Sequence, residues 1–189
     1  MKCNINIGIR CLLLLLGFLA GLPVYSVEPQ SFVLSADILY NDPHDFLGDR
    51  YSSKFGAGVS LEYVYNKHFG FLSSGHFVRF TRNNRKNADI LFYNITVDGL
   101  IKYPFTSKFS IFGAAGLGLY LWDSENAFWI DGRSKQASDL GYNYGFGMRY
   151  KITEKMSAEL KYFHHDVELD ETENNSTWNE YGLGLRYLF

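Results

Sequence analysis

The chain has 189 residues and carries 18 Lys and Arg against 20 Asp and Glu, a formal net charge of −2. That length fits one domain, and the balance holds no basic run of the kind that binds nucleic acid. The two cysteines, Cys3 and Cys11, cannot build a disulfide framework. Eighteen Gly beside 16 Phe, 14 Tyr and 3 Trp, with only four Pro, point to strands that alternate large and small residues.

Lys2 and Arg10 precede a leucine-rich run from Cys11 to Leu22, and Val24, Tyr25 and Ser26 follow where a signal peptidase would read. Residues 1–26 therefore have the layout of a secretory signal peptide cut after Ser26, and residues 27–189 are expected to form the folded domain. The run is too short for a membrane helix, which takes about 20 apolar residues. Cys11 precedes the apolar stretch, which argues against a lipoprotein. Removal of the segment takes both cysteines and leaves 163 residues with a net charge of −4.

Eight strand segments follow in order, at 31–40, 54–65, 69–82, 89–103, 109–122, 138–151, 156–167 and 178–189. In the second, Phe55, Ala57, Val59, Leu61, Tyr63 and Tyr65 alternate with Lys54, Gly56, Gly58, Ser60, Glu62 and Val64. In the sixth, Leu140, Tyr142, Tyr144, Phe146, Met148 and Tyr150 alternate with Gly141, Asn143, Gly145, Gly147 and Arg149. In the third, Ser73, Ser74 and Gly75 interrupt the pattern at a candidate bulge. The eighth sets Tyr181, Leu183, Leu185, Tyr187 and Phe189 on one face against Glu180, Gly182, Gly184 and Arg186. Period two with one greasy side is a strand signature.

Connections alternate in length. Those at 41–53, 83–88, 123–137 and 168–177 are polar and mostly longer, whereas 66–68, 104–108 and 152–155 are short, as in outer-membrane β-barrels. The short turns would lie on the periplasmic side. A soluble eight-stranded barrel of lipocalin type would alternate too, but eight strands enclose only enough room for small side chains and a few charges. The row of Phe, Tyr and Leu is therefore expected to face lipid.

The strand-turn-strand of Gly145 to Tyr150, Ile152 to Ser157 and Glu159 to Tyr162 resembles OmpA/OmpX-type and opacity-type barrels. Lys102 to Phe105 followed by Phe112 to Gly118 is similar to the same superfamily's middle hairpin, and the closing aromatic Phe189 matches how such barrels end. The resemblance implies an all-β, eight-stranded, antiparallel up-and-down transmembrane barrel in the bacterial outer membrane. Its implied partners are outer-membrane lipids, lipopolysaccharide, the barrel-assembly machinery acting on the C-terminal strand, and host or environmental ligands at the outer loops. Nothing follows Phe189, so the peptidoglycan-binding domain of longer relatives is expected to be absent.

Positions expected to face inward carry Asp37, Glu62, Asp98, Lys102, Arg149, Glu159, Lys161 and Arg186. Four acids and four bases in a tight interior are best satisfied by pairing with each other, which predicts a charge plug and not a pore. Arg79, Arg82, Arg85 and Lys86 cluster around the second outer loop, as ordinary rim charge or as a site for lipopolysaccharide phosphates or anionic glycans. Phe128, Trp129 and Ile130 form an apolar patch in the third loop, an adhesive tip or a cover for the barrel mouth. Glu168, Asp170, Glu171 and Glu173 make the fourth loop acidic, without the spacing of a dedicated calcium loop.

Two enzyme families share this architecture. Lipid A deacylases pair Ser and His; here the nearest constellation is His164-His165-Asp166, with Asp166 at the serine position, so the nucleophile that acyl transfer needs is missing. The palmitoyltransferase barrel offers a looser comparison through Asp123, Ser124 and His44, but it keeps an apolar interior. His164 and His165 read most simply as interfacial polarity at a strand end. No phosphate loop, zinc-ligand spacing or haem motif appears, and no cofactor, metal or catalytic residue is expected. The reading is a non-enzymatic envelope or surface-interaction barrel, with a lipid A-modifying enzyme and a low-conductance porin as the alternatives.

Overall fold

The computed structural model describes residues 31–49, 51–82, 90–124, 136–169 and 174–189. The expected signal peptide at 1–26 lies outside them. Among the described residues nine strands and one helical turn follow in order: β1 (Ser31–His44), α1 (Asp45–Gly48), β2 (Tyr51–Ser52), β3 (Lys54–Val64), β4 (Phe69–Arg82), β5 (Ile90–Pro104), β6 (Phe109–Ser124), β7 (Gln136–Lys151), β8 (Met156–Leu169) and β9 (Asn174–Leu188). Each long strand pairs antiparallel with the next along the chain, and β9 returns to β1 from Val33 opposite Leu188 to His44 opposite Thr177. The sheet closes into a barrel of eight walls, with β2 prolonging the wall of β3.

All eight expected segments are strands. The structure extends several at the loop end, most of all β1 by four residues to His44 and β9 to Asn174. Their period-two pattern is why they close. Outward side chains such as Phe55, Leu117, Leu140 and Phe146 are well exposed, while the alternate positions point into the lumen.

The expected bulge at Ser73–Gly75 does not exist. Register runs unbroken through it, with Ser73 opposite Leu61 and Gly75 opposite Val59; these are simply small residues on the outward face. The bulge lies instead in the neighbouring wall. Ser52 pairs with Thr81 and Gly56 with Val78, so Ser53, Lys54 and Phe55 oppose only Arg79 and Phe80. One extra residue reverses the faces, and Tyr51, odd-numbered like the outward Phe55, turns inward and is buried.

The three short turns share one device. Asn66 Oδ1 accepts from the backbone N–H of His68 (2.7 Å) and Phe69 (2.8 Å). Thr106 Oγ1 does the same for Lys108 and Phe109, and Thr153 Oγ1 for Lys155 and Met156. A side-chain oxygen that mimics the backbone acceptor fixes a tight reversal. At the other end α1 folds over the mouth and buries Leu47. Its entry residue Asp45 sits at φ 51, a left-handed conformation that Asp tolerates better than most residues. Gly48 allows the close return, since a Cβ there would lie 2.7 Å from the Pro43 carbonyl oxygen.

The lumen is layered. Charged side chains fill the turn end. Leu72, Leu100, Phe112, Ala114 and Phe163 form a small apolar cluster, and a larger one of Leu47, Tyr51, Val78, Phe80, Ile90, Phe92, Tyr120, Trp122, Val167 and Trp178 fills the loop end. The expectation of an interior of small and charged residues is thus corrected. Large rings fit because inward glycines on the neighbouring strand β7 give them room. A Cβ on Gly145 would meet the Phe163 ring at 2.7 Å, one on Gly147 the Phe112 ring at 2.5 Å, and one on Gly141 the Tyr120 ring at 2.8 Å.

Candidate functional site

All eight expected interior charges point into the lumen and are buried. At the turn end Glu62 is shared by three cations: Lys102 Nζ at 2.9 Å, Arg149 at 3.0 Å, and Arg186, which donates to Oε2. Glu159 meets Arg149 Nε at 2.6 Å and Arg186 Nε at 3.3 Å. Arg149 also lies over the Phe112 ring, 4.2 Å from its centre. Deeper in, Lys161 Nζ donates to Asp37 at 2.9 Å. Gly184 leaves the space that the Asp37 carboxylate occupies.

Asp98 departs from the expected pairing. It takes hydrogen bonds from Asn143 (2.6 Å) and Thr96 (3.1 Å) and, among the described residues, forms no ion pair with a Lys or Arg. An amide and a hydroxyl satisfy it in place of a cation. The balance changes further because two acids join the set: Asp139, which accepts from Trp122 Nε1 at 2.9 Å, and Glu180. Among the described residues six buried carboxylates face four buried Lys and Arg. Glu180 was visible in the sequence, since it shares the inward face of Arg186 on β9.

A third interior group stands between the charged end and the aromatic end. His76 from β4, His165 from β8 and Glu180 from β9 bring their polar atoms within 4.8 Å of one another. His165 therefore faces the lumen and not the membrane interface, as strand alternation demands once His164 faces out. Its ring stacks on Trp178 at 4.8 Å and 15°, and its Nδ1 lies 2.9 Å from the Tyr120 hydroxyl. Parity along β4 and β8 would have found both histidines; nothing local in the sequence announced their meeting.

The outer surface of the β8–β9–β1 wall carries a polar ladder near the loop end. His164 Nδ1 and the Tyr162 hydroxyl lie 2.9 and 2.8 Å from Asn179 Oδ1, whose Nδ2 donates to His44 Nε2 at 2.9 Å. Thr177 donates to Asp45 at 2.6 Å and the Tyr142 hydroxyl to Asp166 at 2.5 Å. The rings of His44 and His164 thus both engage Asn179. Asp123 and Ser124 end β6, four walls away from His44 on β1, so the strand order sets His44 apart from the other two.

Of the loop candidates, Arg79 is an exposed residue of β4 near the loop end. Arg82 ends that strand, with its side chain outside the described set. Arg85, Lys86, Phe128, Trp129, Ile130, Asp170, Glu171 and Glu173, and the side chain of Glu168, also fall outside the described residues. Tyr181, Leu183, Leu185, Tyr187 and Phe189 all face outward, and Phe189 N–H donates to the Phe32 carbonyl at 3.0 Å where the barrel closes. At the turn end an open dish of about 310 Å³ is floored by Glu62, Lys102, Arg149 and Arg186.

Three solved structures place this geometry among known barrels. Neisserial surface protein A (NspA) is 19% identical with a TM-score of 0.67, over 85% of this chain and 99% of that one. Ail, the attachment invasion locus protein of Yersinia pestis, solved with the heparin analogue sucrose octasulfate, is 18% identical with a TM-score of 0.57, over 86% and 100%. OprG from Pseudomonas aeruginosa is 15% identical with a TM-score of 0.59, over 88% and 99%. No curated protein sequence matches the chain. The model of the outer membrane protein beta-barrel domain matches residues 11–189, and the chain belongs to that family.

Proposed function

We propose that the protein is a non-enzymatic, non-conducting outer-membrane barrel that serves the envelope as an anchored scaffold and interacts with its surroundings through its outer end. The filled lumen carries this reading. From the periplasmic side inward it holds the Glu62–Glu159 charge cluster, the Lys161–Asp37 pair, the His76–Glu180–His165 group and then the aromatic cluster around Trp178. Eight strands leave no width for water beside such a filling. A function that cannot run through the barrel belongs to its ends, and loops are where rigid scaffolds place recognition.

For the outer partner we favour anionic glycan or lipopolysaccharide phosphate, held by the basic group at Arg79, Arg82, Arg85 and Lys86. Ail, which shares the fold, was solved with a polysulfated sugar, a precedent for anion capture by a barrel of this shape. Attraction of this kind weakens as salt rises. The test has two arms. In planar bilayers the purified protein should give no stable large channels; reproducible nanosiemens-scale steps would refute the filled lumen. Cells displaying the protein should retain heparin or lipopolysaccharide at low salt and release it at high salt, and changing the four basic residues to Ser should abolish retention. Retention unchanged in that variant would refute the outer-loop assignment.

A further inference from the structure

The His76–His165–Glu180 group has the marks of a cation site. Its three residues come from walls that do not all touch: β4 is separated from β9 by β3 and β1, so the side chains meet across the lumen. His76 Nδ1 lies 3.0 Å from Glu180 Oε2, and His165 Nε2 lies 3.8 Å from the same oxygen. Ligands about 2.1 Å from a tetrahedral zinc ion stand about 3.4 Å apart. The two distances straddle that value, and small ring rotations would reach it.

The group is also unsatisfied as it stands. Beyond the His76 Nδ1–Glu180 Oε2 contact, Glu180 Oε1, His76 Nε2 and His165 Nε2 have no hydrogen-bond partner among the described residues, although none of the three residues is more than 7% exposed. Leaving a buried polar atom without a partner is costly, so three in one place call for a ligand. The surroundings orient the donors. With the Nδ1–H of His165 given to the Tyr120 hydroxyl and the ring held against Trp178, the Nε2 lone pair faces the cluster; fixing a ligand through its other nitrogen is the habit of metal-binding histidines. Gly58 makes room for the other ring, since a Cβ there would stand 2.6 Å from His76 Cδ2.

Charge points the same way. Among the described residues Glu180 pairs with no Lys or Arg, and its carboxylate faces only the two imidazoles. We infer that His76, His165 and Glu180 bind a single divalent cation of the zinc class, and that the ion staples β4 to the β8–β9 wall from inside the barrel. Two imidazoles and one carboxylate suit zinc or its transition-metal neighbours, whereas calcium and magnesium take oxygen ligands. The closed lumen makes the site structural, and loading must accompany folding.

The experiment refolds the metal-stripped protein into detergent micelles with or without zinc chloride, removes free metal by gel filtration and measures zinc per folded chain. The heat-modifiable band on denaturing gels counts the folded fraction. Wild type and His164→Ala, whose altered side chain lies outside the barrel, should retain about one zinc per chain. Glu180→Gln and His76→Gln should retain less than about a tenth of that, and the rise in melting temperature that zinc gives wild type should vanish in both. Cobalt refolded into wild type should show the intense visible bands of a four-coordinate site. Wild type that carries no zinc, or either Gln variant that carries as much as wild type, would overturn the inference. So would equal protection by calcium. If Glu180→Gln does not fold, His76→Gln alone decides.

Discussion

Glu62→Gln is the sharpest test of the interior charge cluster. In the native barrel three cations, Lys102, Arg149 and Arg186, share two carboxylates, Glu62 and Glu159. The variant leaves the three with one. A pair 3 Å apart gains roughly 5 kcal/mol at an effective dielectric of about 20, before desolvation is subtracted. Removing one partner from a buried pair costs about 3–5 kcal/mol. Because the cluster borders the open dish at the turn end, water relaxes part of the imbalance, so the expected loss is about 3 kcal/mol. Lys102→Met works in the opposite sense. It removes the surplus cation and equalises the charges, and should cost less than about 1.5 kcal/mol. The exposed pair Lys151–Glu154, just as short at 2.7 Å with the Glu154 side chain 92% exposed, supplies the control, and Glu154→Gln should change nothing measurable. The assay is urea unfolding in lipid vesicles, read by the gel shift of the folded form and by tryptophan fluorescence. If Glu62→Gln costs no more than Glu154→Gln, the charges are a hydrated lining and not a plug, and the argument from a filled lumen fails with it.

Other expectations use the same assays. Gly184→Val drives a side chain into the Asp37 carboxylate, which a Cβ alone would already overlap, and should destabilise the barrel by about 1–3 kcal/mol through overpacking. Trp178→Ala empties the fully buried centre of the loop-end cluster and should cost about 3–5 kcal/mol. Thr153→Ala removes one oxygen that receives two backbone N–H groups and should cost about 1 kcal/mol; no change would show the turn to be fixed by its strands alone. Lipid A from cells with and without the gene should carry the same acyl chains by mass spectrometry, and a difference abolished by His164→Ala would establish the enzyme reading.

The strands were legible because period two is written in nearly every wall, and the charge set because those same strands fix which residues face in. What stayed hidden depended on contacts between distant strands. Whether Asp98 pairs with a cation or with Asn143 is decided across the lumen, where strand alternation has no voice. The bulge at Ser53–Phe55 was missed for a different reason. A small outward residue and a register slip interrupt the alternation alike, so Ser73–Gly75 imitated a bulge while the real one hid in a polar connection. The rule that bulky residues face lipid failed at the loop end, where Phe80, Phe92, Tyr120 and Trp178 are all inward.

That failure has a physical cause in the β8–β9–β1 wall. From the turn end upward, its outward residues run Tyr187, Leu185, Leu183, Tyr181 on β9 and Phe32, Leu34, Ala36, Ile38, Tyr40 on β1. They then change to Asn179 and Thr177, with Asp42 and His44 beside them. Tyr40, Tyr181 and Tyr162 stand opposite one another in register at the change, the place where interfacial aromatics belong. From Phe189 to Tyr181 is about 26 Å of strand at about 3.3 Å per residue, or about 20 Å along the membrane normal at a tilt near 40°. Above the tyrosine row the strands continue for several residues, now polar outside and apolar inside, as Val167 and Trp178 are. Within the membrane this wall is greasy outward and polar inward; beyond it the wall obeys the opposite rule, that of a soluble protein. The aromatic cluster is therefore the core of a rim that stands in water, and it holds rigid the strand ends from which the outer loops depart.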